Sequence, residues 1–184
     1  MRVISGKYRR LNLIAPIGKD TTRPTLDQIK ESMFNIISFH VDNRIVCDLF
    51  AGSGALGIEA LSRGASFCYF NDRSKPALNA IQTNLKTIKA PNDTFKVLSL
   101  DYLNCLEYFK NRNIKIDLLF LDPPYKDQIY EQIINKMEED GTLCEDALIV
   151  IEASLESPLP AFDKYLRKDY KYKDKTLVIL EKYQ

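Results

Sequence analysis

The amino-acid sequence predicts an α/β fold, a mostly parallel sheet covered by helices on both faces and closed by an antiparallel hairpin. Three observations carry this expectation. Short apolar runs alternate with amphipathic helical stretches between residues 45 and 152, the pattern of parallel strands joined by crossover helices. A glycine-rich turn, Gly52-Ser53-Gly54, follows the first core run, where the chain must pass from strand to helix and positive φ is useful. Two strand-like runs at 165–172 and 176–183 meet across the polar stretch Lys173-Asp174-Lys175, which reads as a hairpin.

Taken in order, residues 2–5 and 10–15 read as short strands around Gly6-Lys7-Tyr8-Arg9. Pro16, Gly18 and Pro24 then punctuate a loop, because proline and glycine interrupt regular structure. A helix begins near Thr25, its candidate N-cap, and carries Ile29, Met33, Phe34, Ile36 and Ile37 at helical spacing to about His40. Beyond it come strands at 45–49, 66–71, 95–99, 118–121 and 148–152. Helices at 55–63, 75–88, 102–110 and 128–138 alternate with them. The whole chain is expected to form one domain, with residues 1–42 an extension of a core at 43–184.

Composition narrows the function classes. The 26 basic and 25 acidic residues nearly cancel, so bulk charge does not announce a nucleic-acid binder and any such site must be local. One local cluster exists: Arg2, Lys7, Arg9, Arg10, Lys19 and Arg23. No run of eighteen apolar residues and no secretory h-region is present, so a cytoplasmic protein without a membrane partner is expected. Cys47, Cys68, Cys105 and Cys144 are widely separated beside apolar segments; they read as reduced thiols, with no metal site. His40 is the single histidine and lies far in sequence from every strand-end motif. Hydrolase triads and P-loop kinases lose their main supports.

The sharpest local motif is Asp48-Leu49-Phe50-Ala51-Gly52-Ser53-Gly54 at the end of the first core strand. Ligands of doubly wound folds bind outside the carboxyl ends of the strands. Gly52, Gly54 and Gly57 match the G-x-G-x-x-G string of dinucleotide sites, yet the preceding Asp48 would repel a pyrophosphate and attract a sulfonium or an ammonium group. Asp48, Phe50, Ala51, Gly52, Ser53 and Gly54 are therefore candidate cofactor-binding residues; a tight turn with packing glycines is the plainer alternative. Asp72, at the end of the next strand, suits either ribose hydroxyls or a surface turn. Asp101 suits either an adenine amino group or the cap of the following helix.

Leu119-Phe120-Leu121-Asp122-Pro123-Pro124-Tyr125 runs an apolar strand into a stiff, donor-poor turn ending in an aromatic ring. An exocyclic base amine is a poor nucleophile, because its lone pair is delocalised into the ring. Acceptance of its hydrogens by the Asp122 carboxylate and the Pro123 carbonyl would favour a pyramidal, nucleophilic nitrogen. Tyr125 would stack on the base, an interaction worth about 1–3 kcal/mol, and positioning of this kind supplies much of such catalysis. Asp122, Pro123, Pro124 and Tyr125 are the candidate catalytic residues.

With these motifs in the order seen here, the chain resembles class I amino-methyltransferases. It resembles more closely the RsmD family of bacterial enzymes, which modify the N2 of one guanine in small-subunit ribosomal RNA. The resemblance spans nearly the whole chain, and its specific part is the start: Met1 to Arg9, Thr22-Arg23-Pro24-Thr25 and Met33-Phe34-Asn35. It implies a Rossmann-like sheet of seven strands with the last hairpin at one edge, S-adenosylmethionine as cofactor, and a monomer. It implies, too, a partner in ribosomal RNA, within the small subunit or an assembly intermediate. By that resemblance Asp48 and Gly52 to Gly54 form the cofactor loop, Asp72 holds ribose, Asp101 faces adenine, and Tyr8, Arg9, Arg10 and Arg23 meet RNA or the cofactor side. The chain departs from the family where Arg73 and Ser74 follow Asp72, and where Tyr172-Lys173-Asp174 stands for a tyrosine-glycine pair. Methylation of another RNA or DNA amine, such as adenine N6 or cytosine N4, and a non-catalytic RNA-binding module are the alternatives.

Overall fold

A computed structural model describes residues 1–18, 23–123, 129–156, 159–172 and 175–183, with backbone only at 23–26. Five helices and seven strands are described: α1 (Arg23–Ile36), β1 (Ile45–Asp48), α2 (Ala55–Ser62), β2 (Phe67–Asn71), α3 (Lys75–Thr87) and β3 (Phe95–Leu98) come first. They are followed by α4 (Tyr102–Asn111), β4 (Ile116–Leu121), α5 (Ile129–Glu139), β5 (Leu143–Ser154), β6 (Tyr165–Lys171) and β7 (Lys175–Lys182). The strands form one sheet in the order β3-β2-β1-β4-β5-β7-β6. Its first five strands pair in parallel and β7 is antiparallel to both its neighbours. The expected Rossmann-like α/β architecture, with a C-terminal antiparallel hairpin, is thus the one observed.

Both faces of the sheet are buried, and alternation along single strands shows how. In β4, Leu118 and Phe120 belong to a core shared with Phe34, Ile37, Ile58 and Ile81. Their neighbours Leu119 and Leu121 belong to a second core with Leu106, Phe109, Ile133 and Met137. A side-chain period of two makes this division inevitable. The N-terminal segment, α1, α2 and α3 therefore cover one face, α4 and α5 the other. The apolar length of β4 follows from burial on both sides.

Three expectations need correction. Residues 2–5 and 10–15 lie antiparallel but form no extended strands: a single bridge, Arg2 with Asn12, is flanked by the backbone bonds of Val3 N–H to the Leu11 carbonyl, Arg10 N–H to Val3 and Leu13 N–H to Met1. Their intervening backbone donors are taken by α2 instead. Ile4 and Ser5 donate to the Glu59 carboxylate at 2.8 and 3.0 Å, and Lys7 and Tyr8 to the carbonyl and hydroxyl of Ser62 at 2.7 and 2.9 Å. Gly6 permits this approach: at φ +82°, a Cβ there would stand 1.8 Å from the Ser62 carbonyl oxygen. Thr25 is not an N-cap either, since α1 starts at Arg23; Pro24 sits in the first turn, where a missing N–H leaves no helical bond unmade. Finally, β5 runs twelve residues, longer than 148–152, because Leu143 pairs with Ile116 ahead of a register shift at Ile116/Leu118.

Cys47, Cys68 and Cys105 are buried free thiols, and Cys144 is free and partly exposed. His40 ends a short 3₁₀ turn after α1. Among the described residues no helix is long and apolar enough to cross a membrane.

Candidate active site

β1 delivers Asp48 to the carboxyl edge of the sheet, and the loop after it turns sharply into α2. Gly52 and Gly54 take φ of +56° and +76°, values that side chains rarely tolerate. Gly57 has a different duty. A Cβ on it would lie 2.3 Å from the Phe70 ring and 2.6 Å from the Cys68 sulfur, so its bare backbone lets α2 lie directly on β2.

Gly57 N–H donates to Asp48 Oδ2 at 3.1 Å, which puts the carboxylate against the first turn of α2, where unpaired donors and the helix dipole favour an anion. That help is incomplete. Asp48 is 3% exposed, and burial raises its carboxyl pKa to about 7, against the Gly57 hydrogen bond and with further upward pressure from Asp122 and Asp72. Three acids thus converge where β1, β2 and β4 end.

Asp72 accepts from Gly52 N–H at 2.9 Å through Oδ2 and from Ser74 N–H at 2.8 Å through Oδ1. It ties the glycine loop to its own turn, and each oxygen retains a second lone pair. Asp101 caps α4, accepting from Asn104 N–H at 3.0 Å and from the Asn104 side chain. These hydrogen bonds lower its pKa. The Phe50 ring lies 6.2 Å from that of Tyr102.

A cavity of about 290 Å³ opens beside this loop, lined among others by Met1, Asp48, Phe50, Gly52, Asp72 and Asp122. Ala51 and Ser53 line it as well, whereas Gly54 packs inward against Phe70 and Ile81. Asp122 is exposed and Pro123 buried. Pro124 and Tyr125, the rest of the candidate catalytic turn, lie outside the described residues. Of the candidate substrate residues, Arg9 and Arg10 are exposed, with Arg10 at φ +73°. Tyr8 instead turns its ring into the core, 7% exposed. Arg23 begins α1, and its side chain is outside the described set.

Several residues that build the site escaped sequence reasoning. Asn71, 2% exposed, donates to the carbonyls of Leu49 and Leu100 at 3.1 Å each and accepts from Leu100 N–H at 3.3 Å. It binds three strand-end loops into one rim. Asn84 donates to the carbonyls of Ser53 and Ile14, at 2.9 and 3.0 Å, and accepts from Ile14 N–H at 2.8 Å. Glu59, fully buried, holds Lys30 at 3.2 Å and Arg63 at 2.9 Å besides the N-terminal backbone. Glu152 and Lys175 form an ion pair on the cavity wall. A signal did exist for two of them: Asn84 continues the apolar stripe Ala77, Ala80, Ile81 of α3, and Glu59 interrupts the apolar run of α2. A polar group on a core face is there for a partner.

The family described as Conserved hypothetical protein 95 matches residues 1–183. The Bacillus subtilis protein YlbH, provisionally named an rRNA methyltransferase, is 42% identical over 87% of this chain and 86% of its own. Ribosomal RNA small subunit methyltransferase D of Escherichia coli is 33% identical over 87% of this chain and 78% of its own. The solved structure of Escherichia coli yhhF, provisionally named a methyltransferase, superposes with a TM-score of 0.84 at 28% identity, covering 99% of this chain and 97% of that one. The chain belongs to the Conserved hypothetical protein 95 family, the RsmD family of small-subunit ribosomal RNA methyltransferases.

Proposed function

We propose that this chain is an S-adenosylmethionine-dependent methyltransferase that modifies the exocyclic N2 amine of a guanine in small-subunit ribosomal RNA. The observation that carries the proposal is the meeting of Asp122 with Asp48, Asp72 and the glycine loop around one cavity at the carboxyl edge of the sheet. The residues present fit the cofactor. Gly52 leaves room where a Cβ would meet no heavy atom within 4 Å, two carboxylates suit a cationic ligand bearing ribose, and Phe50 offers an aromatic face. When bound, S-adenosylmethionine supplies an electrophilic methyl group on a sulfonium centre.

The chain's own groups do the rest. Asp48, Phe50, Ala51, Gly52 and Ser53 hold the cofactor, Gly54 shapes the turn behind them, Asp72 accepts from ribose hydroxyls, and Asp101 faces the adenine end. Asp122 and the Pro123 carbonyl accept the amine hydrogens and orient the nitrogen lone pair. With the methyl group supplied by the bound cofactor, Asp122 would take the proton that the amine nitrogen loses and pass it to solvent. Pro124 and Tyr125 complete the turn, the ring stacking on the base. Arg9, Arg10 and Arg23 meet RNA phosphates, while Tyr8 anchors the arm that carries the first two. The protein acts as a monomeric single domain in the cytoplasm, on the subunit or an assembly intermediate; near-neutral net charge disfavours tight binding of bare RNA.

The test is transfer of labelled methyl from S-adenosylmethionine to undermethylated small ribosomal subunits, with the product nucleoside mapped. Wild type is expected to form N2-methylguanosine, and Asp122→Ala to lose at least about 100-fold in rate, as expected when general acid–base contact is removed. Label on an adenine or cytosine amine would overturn the substrate assignment, and an active Asp122→Ala variant the catalytic one.

A further inference from the structure

Two charged residues on the cavity wall have no part in the chemistry so far. β4 and β5 pair in parallel with Leu121 opposite Ile151, so Asp122 and Glu152 follow side by side at the carboxyl edge. β7 runs back along β5 with Leu177 opposite Glu152 and Lys175 opposite Ser154. Lys175 is thus two residues along from the partner of Glu152 and shares its face. The Lys175 ammonium donates to Glu152 Oε1, and both line the cavity with Asp122. The Glu152 side chain is 11% exposed and that of Lys175 31%, so a base entering the cavity would displace little water from the carboxylate.

Across β4, β5 and β7 the wall therefore offers a carboxylate, a second carboxylate and an ammonium, which is acceptor, acceptor, donor. The Watson–Crick edge of guanine offers donor, donor, acceptor in its N2 amine, N1–H and O6. Adenine and cytosine present their amine followed by a bare ring nitrogen, an acceptor that would face Glu152 with no hydrogen between. Resting on the guanine-N2 reading above, we propose that Glu152 and Lys175 select guanine, Glu152 accepting from N1–H and Lys175 donating to O6 while Asp122 holds the N2 amine. The ion pair need not break: a carboxylate has lone pairs for two partners and an ammonium three donors. Selection arises as much from the unpaired acceptor forced on a wrong base as from the bonds made to the right one.

The experiment measures kcat/KM on small subunits reconstituted with guanine or 2-aminopurine at the mapped target position, for wild type, Glu152→Gln and Lys175→Gln. 2-Aminopurine keeps the N2 amine but lacks N1–H and O6. Wild type is expected to favour guanine by about 100-fold or more, the scale on which buried hydrogen-bonding sites discriminate. Glu152→Gln, whose amide donates to a bare N1, should bring that ratio to about one, and Lys175→Gln should reduce it by about tenfold. S-adenosylmethionine affinity, measured by calorimetry, should stay within about twofold in both, as expected for groups that contact the base alone. An unchanged base ratio in both variants, or a loss of cofactor affinity to match the loss of activity, overturns the role of the pair and leaves the guanine-N2 reading standing. Methylation by wild type of an adenine or cytosine amine overturns that reading and this inference together.

Discussion

Asp48 and Glu59 are both buried carboxylates joined through α2, and their surroundings differ. Glu59 receives two backbone N–H groups, the Arg63 guanidinium and the Lys30 ammonium. Asp48 receives the Gly57 N–H among the described hydrogen bonds, faces two other acids, and has its pKa pushed up to about 7. A buried charge is tolerated when surrounding donors replace its lost hydration. Glu59 meets that condition within the chain. Asp48 meets it only in part, and it sits on the wall of a cavity rather than behind one. Under the proposed function, the difference separates an acid that holds the structure together from one kept ready for an incoming cation.

The largest expected effect breaks the satisfied partner. Glu59→Ala strands Lys30, whose pKa burial already lowers, and unpairs Ile4 and Ser5 N–H. Stability should fall by about 3–5 kcal/mol, the usual cost of removing one partner of a buried pair, as read by urea unfolding. The Arg9–Arg10 arm should become sensitive to protease at the same time.

Asp48 should reveal itself through pH. Its folded pKa, about 7, lies above its ordinary 3.8, so between those values the folded state holds the extra proton. The stability tied to this group is complete below about pH 4, falls as pH rises, and is gone above about pH 7. The total is on the order of 4 kcal/mol at about 1.4 kcal/mol per unit. The difference between wild type and Asp48→Asn isolates it from other acids. Under the proposed function, cofactor affinity should rise by up to about tenfold per pH unit below pH 7 and level off above it, and Asp48→Asn should flatten that profile.

Asn84→Ala should have the smallest effect, about 1–2 kcal/mol for the N–H and carbonyl groups left without partners. Hydrogen exchange at the Ile14 amide should speed up while exchange in β1 and β4 does not change. A uniform acceleration across the sheet would mean that Asn84 supports the whole core and not the junction of arm and loop.

What was legible in the sequence follows from the range of each interaction. The doubly buried strands announce themselves as apolar runs, and Gly52 and Gly54 mark the turn, because both depend on local backbone and burial. The N-terminal hairpin is shorter than its alternation suggests because the donors of Ile4, Ser5, Lys7 and Tyr8 go to Glu59 and Ser62, more than fifty residues away, and a local alternation pattern carries no trace of that. β5 was underestimated since Cys144, Glu145 and Asp146 break the apolar run, although strand pairing continues on either side of a register shift. Asp72 and Asp101 were picked out by their place after strands. Asn71, Glu152 and Lys175 were not, for their meaning depends on which strands become neighbours, and β7 enters beside β5 only through sheet order.

The helix between Asp48 and the arm has one more consequence. α2 begins at the glycine loop and ends at Ser62, which grips Lys7 and Tyr8. Its eight residues span about 12 Å, at 1.5 Å each. Because a helix hardly stretches, it works as a ruler: under the proposed function, a phosphate seated on Arg9 or Arg10 is held at a set distance from the methyl donor. An RNA whose amine lies at another depth from its backbone would be refused before any base edge is read.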